Sequence, residues 1–366
     1  GIEGEDDTYE GEVNHNAHIT DPLSEMMGLY EAIEGKTKAW HGAHYKKMIT
    51  AFRNLPSRVN SWTDVERLQS FGKGKQAAIP NTDNVRKRIT SILETGTFPK
   101  LEELRRSPLC NAVSELVKVW GVGPTKAQAL YRAGFTSVRD LREGVVVKGS
   151  HRMPGLTAQQ QSGLKYHEDI HTRIPREEVK ELEGRVKAAA RALRGEGVRA
   201  QACGSYRRGK ESSGDVDVLI THPDRGALEG LLPAVIERLH TEGFITCDLS
   251  IGCIKRPGDD DNPARIGTYM GICCLGPGRV HRRLDIKVYA AECYPFALLY
   301  FTGSDHFNRS MRLWARNHDF SLDDTGLYPA DHASGRKAKD GIACESEEAI
   351  FKALHLQYVP PTERNI

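Results

Sequence analysis

From Gly214 to Ile220 the chain reads Gly-Asp-Val-Asp-Val-Leu-Ile, which places two acids at the head of an apolar β-type run. In a strand, residues i and i+2 point to one face, so Asp215 and Asp217 present their carboxylates side by side while Val216 faces away. Each carboxylate opposes ionisation of the other and both resist leaving water, so a half-buried sheet cannot leave them unpaired. A divalent cation resolves that conflict. Hard oxygen donors on an open site suit Mg2+, with Mn2+ as a substitute. A third acid, Asp285, interrupts the apolar run around Leu284, Ile286 and Val288. Carried on a neighbouring strand, it completes a cluster for two metal ions of the kind that serves in-line phosphoryl transfer. Two acids at this spacing, taken alone, also fit a solvated edge strand.

The residues upstream weigh against the edge strand. Gly204-Ser205-Tyr206-Arg207-Arg208-Gly209-Lys210 precedes the acids. A Gly-Ser turn offers backbone N–H groups and a hydroxyl to a phosphate, and Arg208 and Lys210 bring positive charge to the same place. Downstream, Tyr300-Phe301 leads into a Thr302-Gly303 turn. Two rings beside a close backbone approach suit a sugar face and crowd out a 2′-hydroxyl; the same spacing suits core packing. The histidines, His281 and His306 among them, show no metal-ligand spacing.

Hydrophobic period then divides the chain. Leu23, Met26, Met27 and Tyr30 recur every three or four residues, and Tyr45, Met48, Ile49 and Phe52 repeat the stripe. Gly42 weakens the start of that second helix, and Gly72, Pro80, Asn81 and Gly96 break the rest into short helices as far as Arg106. A further helical unit follows, in which Gly121-Val122-Gly123-Pro124 separates two apolar helical stripes. After Pro175 an amphipathic helix is expected over 177–194. Beyond Gly195 the period shortens, with β-type runs at 198–203, 216–221 and 284–289. A helix over 226–242, a long polar loop over 254–268 and a helix over 306–317 complete the reading. The class is α+β, with helical modules first and a mixed sheet carrying the acids later.

Composition enters through what it excludes. No apolar run approaches the roughly 18–20 residues that span a bilayer, and the acidic N-terminus has no signal-peptide core. The eight cysteines include no C-x-x-C pair and sit in apolar contexts, so reduced core thiols inside the cell are expected. The net charge of +2 is a cancellation. Residues 1–34 hold ten acids and no Lys or Arg, whereas residues 35–110 hold fifteen Lys or Arg against six acids. That basic stretch suits a polyanion.

Gly-Ser, a spacer, two acids two apart and a third acid in a later strand form the nucleotidyltransferase pattern. The strings GSYRRGKESSGDVDVLITHPD, HRRLDIKVY and LLYFTGSDHFNRSMR resemble the family X DNA polymerases, from about residue 16 to the closing PPTERNI. LDDTGLY at 322–328 is similar to the plant or algal members. The resemblance implies a nucleotidyltransferase-type mixed β palm with a small C-terminal α+β subdomain, preceded by all-helical lyase-like and helix-hairpin-helix modules. Its divisions are an acidic leader (1–14), a lyase-like DNA-end-binding domain (15–107), a helix-hairpin-helix subdomain (108–172), the palm (173–296) and a nucleotide-selecting subdomain (297–366). It implies Asp215, Asp217 and Asp285 as ligands of two Mg2+ ions, with Asp285 as base for the primer 3′-hydroxyl. Arg173, Gly204, Ser205, Arg208 and Gly214 match positions that bind the incoming triphosphate. Tyr300, Phe301, Gly303, Asp305 and Asn308 match the wall holding its sugar and base. Arg283 and Arg312 match DNA contacts, Arg312 at the template minor groove.

Gly121-Val122-Gly123 resembles a helix-hairpin-helix turn, whose exposed N–H groups hold a DNA phosphate without reading sequence. The family implies a monovalent cation, Na+ or K+, on the carbonyls of Val117, Val119 and Val122. Trp40, His41 and Tyr45 fall where the lyase module has its DNA-end pocket. The departure lies at the lyase nucleophile, where counting back from Gly96 puts Arg88 in the family's lysine position. An arginine stays protonated and forms no imine, and Lys87 next to it should face about 100° away around the helix, so the module is expected to keep 5′-phosphate and DNA binding, with lyase activity doubtful and Lys87 as the substitute nucleophile. The expected activity is template-directed gap filling in base excision repair or end joining, on gapped or nicked duplex DNA and dNTPs, by a nuclear monomer with no membrane. Repair partners would engage a BRCT region upstream of this sequence, and the 251–268 loop would serve template-independent or end-bridging synthesis. The competing readings are an RNA or small-molecule nucleotidyltransferase and a non-catalytic DNA-end scaffold. The hairpin and basic stretch oppose the first, and the intact acids oppose the second.

Overall fold

The computed structural model describes residues 14–34, 39–53, 55–71, 79–144, 155–252, 265–331 and 336–365. The chain forms two compact units, Gly1–Lys165 and Tyr166–Ile366.

In the first unit every described element is a helix. The two apolar stripes become α1 (Ala17–Glu34) and α2 (Ala39–Arg53), and Gly42 does not delay the second. Next come α3 (Trp62–Phe71), α4 (Asp83–Thr95) and α5 (Pro99–Arg105). Leu23, Met26, Met48, Phe52, Ile89 and Leu101 fill their common core. A wholly buried Asn16 ties the entry of α1 to the turn after α2. Its amide donates to Phe52 O (3.1 Å) and Ser57 O (3.0 Å), and its oxygen accepts from Val59 N (2.7 Å). Thr82 caps the start of α4, and Gly96 closes it at φ 74°, a conformation that favours glycine. A second small core around Val113, Leu116, Leu130 and Phe135 is built by α6 (Pro108–Leu116), α7 (Pro124–Arg132) and α8 (Val138–Glu143). The last helix is α9 (Ala158–Lys165), whose Gly163 leaves no room for a Cβ against the Trp120 carbonyl (2.6 Å).

The second unit opens with α10 (His167–His171) and β1 (Ile174–Pro175), and Pro175 then caps α11 (Arg176–Arg194). There follow β2 (Arg199–Ala202), α12 (Gly204–Arg207), β3 (Ser212–Ser213) and β4 (Val216–Thr221). The helix expected over 226–242 is broken: a 3₁₀ turn at Gly226–Leu228 precedes α13 (Leu231–Thr241). Next come β5 (Ile245–Gly252), β6 (Arg265–Cys273) and β7 (Arg282–Tyr289). The five-stranded sheet runs β2-β4-β7-β6-β5. Its central pair, β4 and β7, is parallel, and α11 and α13 cover one face with Val179, Leu182, Val186, Val235 and Leu239. The loop expected over 254–268 is thereby corrected, because Arg265–Thr268 already pair in the sheet; residues 253–264 lie outside the described residues. The rest is α14 (Tyr294–Thr302), α15 (Asp305–Asn317), a sheet of β8 (Phe320–Leu322), β9 (Leu327–Asp331) and β10 (Arg336–Lys337), and α16 (Glu347–Ala353). Seven described cysteines are free, as expected of thiols, and no described helix is long and apolar enough to cross a membrane.

Candidate functional site: three carboxylates on a parallel strand pair

Register brings the acids together. Asp217 on β4 and Asp285 on β7 are direct partners across the parallel pair, and Asp215 stands just before β4 begins. Two cations stand among them. Arg283 Nη2 lies 3.0 Å from Asp215 Oδ2 and 3.2 Å from Asp285 Oδ2. Lys287 donates to Asp217 and sits 3.7 Å from Asp285 Oδ2. Burial pushes the Asp285 carboxyl up to about 6, against the pull of Lys287 and Arg283. Burial and then the neighbouring Asp217 also raise Asp215. Burial works the other way on Lys287, yet Asp217 and Asp285 outweigh it and hold the ammonium charged. Where the sequence pointed to a divalent cation, Arg283 and Lys287 already place positive charge among the acids.

Among the described residues no three His, Cys, Asp or Glu side chains are gathered as a ready ligand set. The donors nevertheless fit a hard divalent cation. They are carboxylate oxygens on adjacent strands, and Arg283 and Lys287 hold the place of positive charge between them.

The Gly204–Ser205 turn abuts this cluster. Gly204 starts α12 at φ 56°, and a Cβ there would stand 3.5 Å from Asp217 Oδ2. Ser205 Oγ donates to Ser213 Oγ (3.0 Å). Arg173 reaches Ser212, through Nε to its Oγ at 3.2 Å and through Nη2 to its carbonyl. The same guanidinium lies 3.5 Å from where a Cβ on Gly214 would be. Arg208 Nη1 donates to Thr302 O (2.6 Å) and Nε to Asn365 Oδ1 (3.0 Å). It passes 3.2 Å from the Cβ position of Gly303, whose φ is 70°. Gly204 thus lies against Asp217, Arg173 packs against Gly214, and Arg208 packs against Gly303.

The expected aromatic wall is half-buried at the end of α14. Tyr300 and Phe301 meet edge to face at 5.1 Å, and Lys287 Nζ lies 4.7 Å from the Phe301 ring centre, so the wall touches the carboxylate cluster through that lysine. Asn308 Nδ2 donates to Tyr300 O (2.6 Å), and the Arg312 guanidinium stands 5.7 Å from the Tyr300 ring. Asp305 is exposed and pairs with exposed Arg309.

In the helical unit, Gly121 has φ 82° and its carbonyl accepts from Gln160 Nε2 (2.8 Å). Gly123 caps α7 without a side chain, leaving open space where a Cβ would stand. Of the three carbonyls expected to share a cation, that of Val119 accepts from Val122 N (2.9 Å). Tyr45 is buried, and Arg88 lies 5.0 Å over its ring and 5.3 Å over Phe98. Lys87 is on a different face, exposed in a shallow groove with Asp83, Arg86, Thr90, Ser91 and Glu94. Trp40 and His41 belong to α2, and their side chains lie outside the described residues.

Sequence reading passed over three residues that hold the site. Lys287 shares the face of Asp285 by the two-residue period and was legible on that ground. Arg207 and Arg364 were not. Glu347 Oε2 accepts from Arg207 (2.7 Å) and Oε1 from Arg364 (2.6 Å), a buried triad joining α12 to α16 and the C-terminal segment. Arg364 is wholly buried among the rings of Phe307, Phe351 and Tyr358.

Three family models match consecutive stretches of the chain. They are the fingers domain of DNA polymerase lambda over residues 114–171, the DNA polymerase beta palm over 173–291 and the DNA polymerase beta thumb over 297–365. The chain is 33% identical over 355 residues to DNA polymerase lambda of Arabidopsis thaliana, covering 96% of this chain and 62% of that protein. To DNA polymerase lambda of Rattus norvegicus it is 35% identical over 358 residues, covering 96% and 56%. To the DNA-directed DNA/RNA polymerase mu of Homo sapiens it is 29% identical over 375 residues, covering 96% and 69%. The chain spans less than two thirds of the length of the two lambda proteins.

Proposed function

This chain belongs to the family X DNA polymerases, and on that premise we propose that it fills short gaps in duplex DNA by template-directed addition of dNMP to a primer 3′-hydroxyl, releasing pyrophosphate. One observation carries the reading: Asp217 and Asp285 are register partners, and the Gly204–Ser205 turn stands against them. A phosphate on that turn lies beside the acids. Asp215, Asp217 and Asp285 would hold two Mg2+ ions, which when bound would supply the charge neutralisation and alignment that phosphoryl transfer needs more than covalent help. Asp285, whose carboxyl burial already raises, takes the proton of the 3′-hydroxyl as its oxygen attacks the α-phosphorus. Arg173, Ser205, Arg208 and the backbone at Gly214 hold the triphosphate as the pyrophosphate leaves. Tyr300, Phe301 and Gly303 shape the sugar pocket, with Asn308 fixing the Tyr300 backbone, and Arg283 and Arg312 hold the DNA.

In this reading residues 15–107 grip the 5′ side of the gap without lyase chemistry, since Arg88 is committed to Tyr45 and Phe98 and Lys87 faces elsewhere. Residues 108–172 hold a phosphate at Gly121–Gly123, with a monovalent cation at Val117, Val119 and Val122. The palm spans 173–296 and the nucleotide-selecting subdomain 297–366, in a nuclear monomer acting with repair proteins. The deciding assay is extension of a one-nucleotide-gapped duplex with Mg2+ and dNTPs. Wild type should extend it and Asp285→Ala should not; equal yields would end the polymerase reading. On a 5′-deoxyribose-phosphate version of that substrate, borohydride should trap no more protein in wild type than in Lys87→Ala.

A further inference from the structure

α10 begins and ends on a histidine. It reads His167-Glu168-Asp169-Ile170-His171, and residues four apart share one face of a helix. The reading of the histidines as lacking metal-ligand spacing is corrected here, because the helix brings this pair together. Their ring centres lie 4.4 Å apart, with the planes tilted by 49°. His171 is exposed, and its Nδ1 lies 2.6 Å from the His167 carbonyl oxygen. A carbonyl can only accept, so that nitrogen carries the proton and Nε2 keeps a lone pair for another partner. Metal-bound histidines are commonly set this way, with the second ring N–H donated to a backbone carbonyl. Two acids, Glu168 and Asp169, sit in the same turn and favour a cation. Arg282 donates to Thr172 O (2.8 Å) just beyond the helix, but Glu178 already matches its charge (2.8 Å).

We propose that His167 and His171 form a binding site for Zn2+, separate from the hard-cation site on Asp215, Asp217 and Asp285. The ring separation suits two imidazole nitrogens about 2.0–2.1 Å from one ion. Water completes the shell, since among the described residues no third His, Cys, Asp or Glu joins the pair. Imidazole suits Zn2+ and Cu2+, whereas carboxylate oxygens suit Mg2+, so the two sites sort their ions by donor chemistry. Bridging the two ends of α10, the ion fastens a single helical turn; its role is structural and does not depend on the polymerase reading.

The test is calorimetric titration of the whole chain with Zn2+ in excess Mg2+, so that the carboxylates are already engaged. Wild type should bind a Zn2+ ion that His167→Gln and His171→Gln each weaken by more than roughly tenfold, since losing even an outer partner of a bound histidine costs that much. His171→Cys, which supplies another zinc ligand, should retain the ion. In EDTA the variants should melt with wild type, which separates a lost ligand from a damaged fold. Substoichiometric Cu2+ gives a second readout, because its electron paramagnetic resonance spectrum should show coupling to two nitrogens in wild type and lose it in either Gln variant. If wild type binds no Zn2+, or both Gln variants bind it as tightly as wild type, the inference is wrong. A wild-type Cu2+ spectrum with fewer than two coupled nitrogens overturns it whatever the variants do.

Discussion

Lys287 is the residue on which the carboxylate face turns. Its ammonium is almost fully buried, bonded to Asp217, near Asp285 and against the Phe301 ring. Removing one partner of a buried ion pair leaves the other charge uncompensated, which costs about 3 kcal/mol. Lys287→Met should therefore lower the melting temperature in EDTA, and the deficit should narrow when Mg2+ is added, because a divalent ion relieves the same carboxylates. A deficit of equal size with and without Mg2+ would show that the lysine is only packing. At this scale the sequence was informative wherever a period of two applied. Asp215, Asp217 and Asp285 follow from the strand repeat, and the same repeat marks Lys287. Arg364 gave no signal, because its burial depends on Glu347, Phe307, Phe351 and Tyr358, which no local pattern gathers around it.

At the scale of elements, short pieces are held by specific side chains rather than by length. α10 has five residues, too few to stand alone. It is fastened by Asp169, whose Oδ2 accepts from the His281 backbone N–H (3.0 Å) and from its ring Nδ1 (2.8 Å). Burial presses the Asp169 carboxyl upward, but those two donors win and hold it below its ordinary 3.8. A depressed native value means that this stabilisation is present above pH 4 and is lost as the pH falls through the native value. Asp169→Asn should thus melt earlier than wild type at pH 7, by on the order of 1 kcal/mol because the group is screened by water. The gap should close in strong acid; a gap independent of pH would assign the effect to packing. Elements were legible where propensity and burial agree, as in α11 and β4. β5 and most of β6 escaped. β6 carries Gly267 and Gly271, and an interior glycine reads as a breaker. Gly271 is there because the Tyr269 ring crosses it to donate to Asp248 Oδ1 (2.6 Å), a contact across strands that no single run of sequence displays.

At the scale of the whole chain, each unit carries its own core. Leu23, Phe52 and Leu101 belong to the first, Val179, Val218 and Ile286 to the second. Separate cores allow separate unfolding, so calorimetry should resolve more than one transition. Ligand linkage then adds a sharper expectation: Mg2+ with a dNTP should raise only the transition of residues 166–366, where the carboxylates and phosphate turn lie. A single transition, or an equal shift in both, would contradict this. The net charge of +2 conceals a separation within the first unit, where the ten acids over 1–34 offset the basic excess over 35–110. Reading charge by segment exposed it, whereas the total could not.

Arg283 and Lys287, standing among the acids, change what loading this site entails. Cations tethered to the backbone cannot diffuse away, so a metal ion does not fill an empty seat; it competes with residents. Loading becomes an exchange, and its threshold is set by two internal ion pairs as much as by the carboxylates. A free divalent ion alone meets that resistance, while one arriving with a triphosphate also offers the displaced guanidinium and ammonium new anionic partners. On the proposed function, the free protein would hold its acids paired, and nucleotide and metal would be admitted together.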